Sequence, residues 1–495
     1  MSRTIFAKTK ALAVSSTAAL ALSLGGCSTL GGPIPDSSAP ITQTEAQQGA
    51  EANPQILAEF GGAMSGPQAQ YVEQVGQNIA VQSGLGGARD SFTVAMLNSS
   101  VNNAFAIPGG YVYTTRQLVS LMNNEAELAA VLGHEVGHVA ARHSQRRQQA
   151  AQRNTLLGAA GAILSGVLLG NSGLGQQLGQ AALQGSQLLT LSFSRSQELE
   201  ADRLGVEYLQ RAGYDPRAMG TVLASLAAQN SLDARLMGRD DARLPEWAST
   251  HPDPASRVQN ALQMAQGMTG TTNRDTFLTR IDGLLYGDDP AQGVIEGRQF
   301  IHPDLRLSFT APQGFYMVNG TRAVTVQGQG GQAQLTLGQY NGDLRSYVGN
   351  VFAGLSQQQR ITPQNVQTTT VNGLPAAYGT ARVNSGNGQV DVTVFAYEFS
   401  NDRAYHFLAI TPSGRGGVFN QMFGSMRRIS TQEAANVIPR RIDVVTVQPG
   451  DTIRTLAAKM AYTNGQEERF RVLNALGSSD QLQAGQKVKI VVRGR

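Results

Sequence analysis

A five-residue motif, His134-Glu135-Val-Gly-His138, constrains this chain more than any other feature of its sequence. It lies within residues 124–146, where apolar side chains recur at helical spacing. Because residues four apart lie one turn above each other on a helix, both imidazoles face the same way. That arrangement suits two ligands of one Zn²⁺, with Glu135 beside the metal as general base. The chain has only 6 histidines, which makes chance a poor explanation for the motif.

A catalytic zinc usually has three protein ligands and one open position. A second predicted helix offers Glu198 and Asp202, which are four residues apart and share a face. One carboxylate can then bind zinc while the other orients a ligating imidazole, and we expect Glu198 to bind and Asp202 to orient. Glu200 points to another side of this helix and is the less favoured ligand. His143 follows His138 by five residues, which turns it off the ligand face, so we expect it to be structural or solvent-facing.

Four segments together resemble one family. They are 103–110, 134–138, 194–202, and Thr250-His251-Pro252 followed by Arg257. They are similar to the gluzincin family that holds the CAAX prenyl proteases, the heat-shock membrane protease and the periplasmic β-barrel-assembly-enhancing protease. The resemblance covers residues 50 to 265 and implies a zinc peptidase with one Zn²⁺ per chain. The roles that it implies agree with the spacing argument: zinc ligands His134, His138 and Glu198, base Glu135, and orienting acid Asp202.

The resemblance also implies an edge strand at Asn103, Ala104 and Phe105, to which an extended substrate adds by main-chain hydrogen bonds. His251 lies in a proline-flanked loop, and two active roles fit it. It occupies or approaches the open zinc position and restrains activity, or it hydrogen-bonds the oxyanion during turnover. A loop-stabilising role is the third interpretation. The apolar, Gly- and Ala-rich segment 156–190 is predicted to cover the cleft as a mobile hairpin, with dipping into a membrane surface as the alternative.

The first thirty residues predict an export signal. Basic residues precede an apolar run at 11–24 that is short for a membrane span, and the sequence Leu-Gly-Gly-Cys27 resembles a bacterial lipobox. Cys27 is the only cysteine in the chain, so we expect lipidation there, with Ser28 favouring the outer membrane. The alternative is an ordinary secretory peptide with an incidental cysteine.

The patterns divide the chain into six parts. They are a lipoprotein signal peptide (1–26), a flexible tether (27–50), a mainly α-helical zinc metallopeptidase domain with a small β element (51–267), a linker (268–298), an α+β domain with an antiparallel sheet (299–430), and a small βααβ LysM-like domain (440–495). Within the linker, 277–285 fits a short docking helix. His302 and His406 are isolated in the α+β domain, and we expect both to be structural.

The βααβ order of residues 440–495 resembles a LysM module, and such modules commonly bind the N-acetylglucosamine chains of peptidoglycan. The connection 461–468 is longer and more polar than usual, so a packing or adaptor role is the alternative.

These features predict a zinc-dependent endopeptidase in the bacterial periplasm that hydrolyses unfolded or misassembled envelope proteins. The competing hypothesis is a zinc-binding chaperone or scaffold lipoprotein that tethers the outer membrane to peptidoglycan. A net charge of +4 without a clustered basic face argues against nucleic-acid binding.

Overall fold

The computed structural model describes residues 39–85, 91–147, 193–236, 251, 254–356, 360–385 and 388–494. The predicted signal peptide, Cys27 and the 156–190 segment lie outside these ranges. Within them, no helix combines the length and the apolar character that crossing a bilayer requires.

The N-terminal half is mainly helical and contains one small sheet. Its helices are α1 (Gln43–Glu59), α2 (Pro67–Ala80), α3 (Arg116–Leu121), α4 (Glu125–Ala140), α5 (Arg195–Arg211), α6 (Ala218–Leu236) and α7 (Pro254–Met264). Its strands are β1 (Thr93–Leu97), β2 (Ala104–Ile107) and β3 (Tyr111–Thr115). They lie in the order β1–β3–β2, with β1 parallel and β2 antiparallel to β3, so β2 is an edge strand.

The prediction of a flexible tether over 27–50 is wrong for its last residues, because α1 begins at Gln43. Thr42 caps the helix with a capping box, in which its side chain accepts from the Glu45 amide while the Glu45 carboxylate accepts from the Thr42 amide. Glu45 is buried and pairs with Arg142 at 3.3 Å. These contacts hold residues 42–50 against the helical region.

The middle of the chain is rich in sheet. Its helices are α8 (Arg274–Ile281), α9 (Leu344–Gly354), α10 (Asn420–Ser425) and α11 (Thr431–Ala435). Its strands are β4 (Leu285–Tyr286), β5 (Val294–Glu296), β6 (Gln299–His302), β7 (Leu307–Thr310), β8 (Tyr316–Asn319), β9 (Val324–Gly328), β10 (Gly331–Gly338), β11 (Val366–Val371), β12 (Leu374–Asn384), β13 (Gln389–Ser400), β14 (Arg403–Pro412) and β15 (Arg427–Arg428).

Two antiparallel sheets organise this middle region. One has the strand order β11–β12–β13–β14–β10–β9–β8 and the other β15–β7–β6–β5. The helix α9 packs its apolar face on the larger sheet, as Tyr347, Val348 and Phe352 share a core with Val392 and Val394. The predicted antiparallel α+β region is therefore present, although its first strand begins at Val294.

The C-terminal unit has the predicted βααβ order. It consists of β16 (Arg440–Thr446), α12 (Ile453–Ala457), α13 (Gln466–Leu473) and β17 (Lys487–Arg493), with β16 and β17 antiparallel. Thr452 caps α12 through its side chain.

The predicted linker 268–298 is wrong as a loose connection. It contains α8, which overlaps the docking helix predicted at 277–285 but begins and ends earlier, then β4, which pairs with β16, and β5, which pairs with β6. Hydrophobic burial explains why this segment is structured, since Phe277, Leu278 and Ile281 are buried in the same core as the helical region. The segment thus joins the three regions of the chain.

The C-terminal unit packs directly on the helical region. Ile442, Phe470 and Val488 belong to one hydrophobic core with Leu128 and Val131 of α4. Because the two units share a core, they form one packed body.

Candidate metal centre

Close approach of α4 and α5 creates the centre. Asn124 caps α4 by accepting from the Glu127 amide, and Ser194 caps α5 with a capping box. Where the helices meet, a Cβ at Gly137 would lie 3.1 Å from the Ala201 carbonyl oxygen. A Cβ at Gly205 would lie 3.2 Å from the backbone nitrogen of His134. The absence of side chains at these glycines lets the ligand-bearing faces come together.

His134 is held by one ring nitrogen, which leaves the other for a ligand. Its Nδ1 lies 2.9 Å from Asp202 Oδ1 and donates its proton to that carboxylate. Its Nε2 lies 3.0 Å from His138 Nε2 and 3.5 Å from Glu198 Oε2. The Nε2 atoms of both histidines and the Glu198 carboxylate therefore converge on one point.

His138 is oriented by a second imidazole. Its Nδ1 lies 2.8 Å from Nδ1 of His143, whose Nε2 lies 3.1 Å from Glu200 Oε2. Since the Glu200 carboxylate accepts, His143 carries its proton on Nε2, and its Nδ1 accepts from His138. This leaves the lone pair of His138 Nε2 free for a metal. Phe193 stacks on the His138 ring at a centroid distance of 4.1 Å and covers that side.

Arg257, on α7, neutralises the two carboxylates. It donates from Nε and Nη2 to Asp202 at 2.8 and 2.6 Å, and from Nη1 to Glu198 Oε2 at 2.6 Å. All three side chains are buried. A buried carboxylate pair needs such a partner, because unpaired charges away from water are costly.

His251 and Glu135 complete the cluster. His134, His138, Glu198 and His251 each offer a ligand atom, and these four atoms lie within 4.8 Å of one another. His251 Nε2 also lies 3.3 Å from Glu135 Oε1. Within the described part of the chain, neither carboxylate oxygen of Glu135 nor Oε1 of Glu198 has a hydrogen-bond partner. Buried acceptors without partners, beside the unprotonated Nε2 of His138, fit a divalent cation, and the nitrogen and oxygen donor set suits Zn²⁺.

The charges of the cluster favour this donor set. Burial opposes ionisation of Glu198, but His134, His251 and Arg257 outweigh it and lower its pKa. Burial, reinforced by the neighbouring His134, lowers the pKa of His138 well below its usual value, so this imidazole is neutral. Burial also disfavours the His134 cation, yet its hydrogen bonds to Asp202 and Glu198 raise its pKa to about 9. A metal must therefore displace a proton from His134.

The structure brings together most of the residues predicted for the site. The motif residues, Glu198, Asp202 and His251 meet, whereas His302 and His406 lie in the sheet region, where His406 bonds the Tyr347 hydroxyl at 2.8 Å. Asn103 directly precedes the edge strand β2, and Ala104 and Phe105 lie on it. The predicted cleft cover 156–190 lies outside the described residues.

Two contributions were missed in the sequence. Of the two alternatives expected for His143, structural or solvent-facing, the solvent-facing one is wrong, because the side chain is buried and its Nδ1 contacts His138 Nδ1; its support of a ligand was not foreseen. The general need of a ligating imidazole for a partner on its second nitrogen could have pointed to it. Arg257 was noted only within the family motif, and its pairing with two carboxylates depends on a helix more than fifty residues away.

Comparison with known proteins places this centre in a recognised domain. Residues 67–265 match the model of peptidase family M48, and residues 445–491 match that of the LysM domain. The chain therefore contains an M48 peptidase domain and a LysM domain.

Relatives match over the peptidase region. The beta-barrel assembly-enhancing protease of Escherichia coli (strain K12) is 35% identical over 202 residues, which is 40% of this chain and 39% of that protein. The mitochondrial metalloendopeptidase OMA1 of Schizosaccharomyces pombe is 30% identical over 221 residues, which is 43% of this chain and 59% of that protein. The chain thus spans less than two thirds of the length of each of these relatives.

Proposed function

We propose that the M48 domain makes this chain a zinc-dependent endopeptidase, with one Zn²⁺ per chain. The observation that carries the proposal is the buried cluster of His134, His138, Glu198 and His251 with the Glu135 carboxylate beside it. A structural zinc site is usually closed by four cysteine or histidine ligands, whereas a carboxylate base next to the ligands is typical of catalysis.

His134, His138 and Glu198 would hold the zinc, while Asp202, His143 and Arg257 keep these ligands in place. When bound, the metal would supply Lewis acidity, which polarises the scissile carbonyl and makes the attacking water more acidic. Placing these groups in a buried cluster excludes bulk water and strengthens their electrostatic effect on the reaction.

Glu135 is the proton carrier in this proposal. Its two carboxylate oxygens lack hydrogen-bond partners among the described side chains and main chain, so an oxygen is available to accept a proton from the attacking water. The same carboxylate then delivers the proton to the leaving amine. A scaffold would need the zinc ligands but not this base, which is why we favour the protease over the scaffold hypothesis.

The substrate is proposed to be an extended polypeptide that pairs with β2. This strand ends the order β1–β3–β2 and no described strand pairs with its outer edge. Its neighbour α4 carries the metal ligands, so a peptide added to β2 would run past the centre.

We assign His251 a restraining role. Its ligand atom belongs to the same cluster as the zinc ligands, and its Nε2 also contacts the base Glu135. An imidazole in this place competes with substrate and water, so it must move before turnover. The oxyanion-donor hypothesis makes the opposite prediction for its removal.

The proposed location is the bacterial envelope, with lipidation at Cys27 favouring the periplasmic face of the outer membrane. The LysM domain supports this location, since it would bind or contact peptidoglycan. Unfolded or misassembled envelope proteins are the proposed substrates, in keeping with the name of the bacterial relative, beta-barrel assembly-enhancing protease. These assignments rest on the sequence motifs and the relatives.

Degradation of casein by the full chain with Cys27→Ser tests the activity, alongside the Glu135→Gln variant of the same chain. We expect wild type to bind one zinc and to cleave, and Glu135→Gln to bind zinc and lose about 10³-fold or more in kcat, because general-base assistance and the charge of the carboxylate are both removed. Zinc binding without cleavage by wild type would support the scaffold hypothesis instead.

A further inference from the structure

A cavity of about 640 Å³ lies where the three regions of the chain meet, away from the metal ligands. Its wall includes Asn102 from the helical region, β5 and β8 from the two sheets, and residues 461–464 of the LysM domain. Ligand pockets commonly occupy domain junctions and have volumes of roughly 300–1,000 Å³. The connection that departs from the usual LysM pattern is thus part of a cavity wall.

Three acidic and three arginine side chains line this cavity, so their charges balance, and the acids have polar partners: Asp288 accepts from the Ser100 hydroxyl at 2.7 Å and Asp233 from the Gln229 amide at 2.8 Å. Glu296 accepts from Arg440 at 2.6 Å and from Arg493 at 3.2 Å. The guanidinium groups of Arg440 and Arg469 lie 5.1 and 4.3 Å from the centre of the Tyr462 ring. Because these charges already have partners, the cavity favours a polar but uncharged occupant.

Two amide side chains provide unused acceptors. The Oδ1 atoms of Asn102 and Asn319 are buried and have no hydrogen-bond partner in the described ranges. The other end of the Asn319 amide is used, since its Nδ2 donates to the Gly293 carbonyl at 2.8 Å. Both side chains line the cavity, so a rotation that turns these oxygens towards it would let donors from an occupant satisfy them. Main-chain N–H groups are such donors.

The cavity is continuous with the proposed substrate strand. Residues 100–102 line it, Asn103 follows with its carbonyl bonded to the Thr115 amide at 2.9 Å, and β2 begins at the next residue. The strands β5 and β8 also line it, and each ends the strand order of its sheet. Edge strands present main-chain groups that pair with extended polypeptide.

We propose that this cavity binds the uncharged main chain of the polypeptide substrate, outside the segment that pairs with β2. The proposal rests on the proposed function, since it assigns a second contact to the same substrate. A saccharide also offers hydroxyl donors, but continuity with β2 and the two strand edges favour a polypeptide. The cavity thereby selects long, unfolded chains over short peptides.

Blocking the cavity with a bulky maleimide tests the proposal. The full chain carries Cys27→Ser, which removes its only cysteine, and Glu135→Gln, which prevents cleavage. Thr463→Cys then places one thiol at an exposed position on the cavity wall. Thr369→Cys, exposed on β11, is the matched control with the same residue and label. Binding of fluorescent casein is measured by anisotropy, and zinc content reports whether the centre is intact.

We expect the label at position 463 to weaken casein binding about tenfold, which corresponds to about 1.4 kcal/mol, with zinc content unchanged. The label at 369 leaves binding as it is. Equal binding by both labelled chains, or equal loss in both, overturns the proposal. A second outcome also overturns the proposal. If a peptidoglycan disaccharide binds, and the label at 463 blocks that binding but not the binding of casein, the cavity binds a glycan instead of a polypeptide. Failure of the proposed function has a different readout, because wild type then does not cleave casein.

Discussion

Two buried polar clusters contact α4, and they differ in how their polar groups are satisfied. At its C-terminal half lies the candidate metal centre, where acceptor oxygens of Glu135 and Glu198 have no hydrogen-bond partner in the described structure. At its N-terminus lies a cluster around Lys489 of β17, whose Nζ donates to the carbonyls of Ser120, Leu121 and Met122 at 2.9, 3.2 and 2.5 Å. The first arrangement leaves room for a ligand, whereas in the second both charged groups are bonded and one acceptor, Oδ1 of Asn123, lacks a hydrogen-bond partner among the described residues.

Glu127 provides the opposite charge at the Lys489 cluster. It accepts from the Asn123 amide at 2.7 Å and from the Thr221 hydroxyl at 2.7 Å. Burial raises the pKa of Glu127 and lowers the pKa of Lys489, and the electrostatic attraction between the two opposes both shifts. A buried network whose charged groups are bonded fixes geometry, whereas several unpartnered carboxylate oxygens beside imidazole nitrogens mark a place where a cation binds. Through Lys489 and a shared hydrophobic core, the LysM domain packs against the helical region that carries α4.

The largest expected effect is on stability. Lys489→Ala leaves Glu127 without its opposite charge and three carbonyl oxygens without their donor. We expect the free energy of unfolding to fall by about 3–5 kcal/mol, because each buried acceptor that loses its donor costs about 1–3 kcal/mol. Chemical denaturation followed by circular dichroism measures this change.

Lys487→Ala is the control for that experiment, because Lys487 lies on the same strand, is half-buried, and donates to the Thr279 hydroxyl. We expect a loss of about 1 kcal/mol or less there. Equal losses in the two variants would contradict the structural role of the Lys489 cluster.

A smaller effect is expected at the metal centre. His143→Ala removes the acceptor for His138 Nδ1, and we expect zinc affinity to fall by about 10–100-fold, as for other residues that support metal ligands. Competition with a fluorescent chelator measures the affinity. His302→Ala, in the sheet region, is the matched histidine control. Wild-type affinity in His143→Ala would show that the interaction with His138 is incidental.

The smallest expected change is in the rate of cleavage. If His251 restrains the site, His251→Ala still binds zinc through His134, His138 and Glu198, and casein degradation becomes several-fold faster because the base is released. Initial rates of casein degradation at saturating zinc distinguish the restraining role of His251 from the oxyanion-donor role. A nearly inactive variant with normal zinc content would instead assign His251 to the oxyanion.

Much of the metal centre could be predicted because helical spacing is local information. The four-residue separations within 134–138 and 198–202 place each pair on one face, and both pairs meet in the structure. His143 and Arg257 were harder, since their roles depend on how a helix end and a distant helix are placed. The His251 contact to Glu135 likewise depends on a loop position that periodicity does not give.

The fold could be predicted from the sequence where hydrophobic patterns repeat, and the prediction failed where regions of the chain join. The alternating strands of the middle region and the βααβ order of the LysM domain follow periodicity, and both are present. The segment 268–298 has weak periodicity, yet β4 pairs with β16 across more than 150 residues. Lys489 alternates with apolar residues as an exposed side chain would, and its burial results from packing against α3.

The most direct test of the account is zinc content together with zinc K-edge X-ray absorption on the full chain carrying Cys27→Ser. We predict one zinc per chain, surrounded by imidazole nitrogen and carboxylate oxygen at roughly 2.0–2.2 Å, with stoichiometric zinc lost in His138→Ala. One imidazole fewer in His251→Ala would identify His251 as the additional ligand. Wild type without bound zinc, or a zinc shell that is the same in His138→Ala, would contradict the central claim.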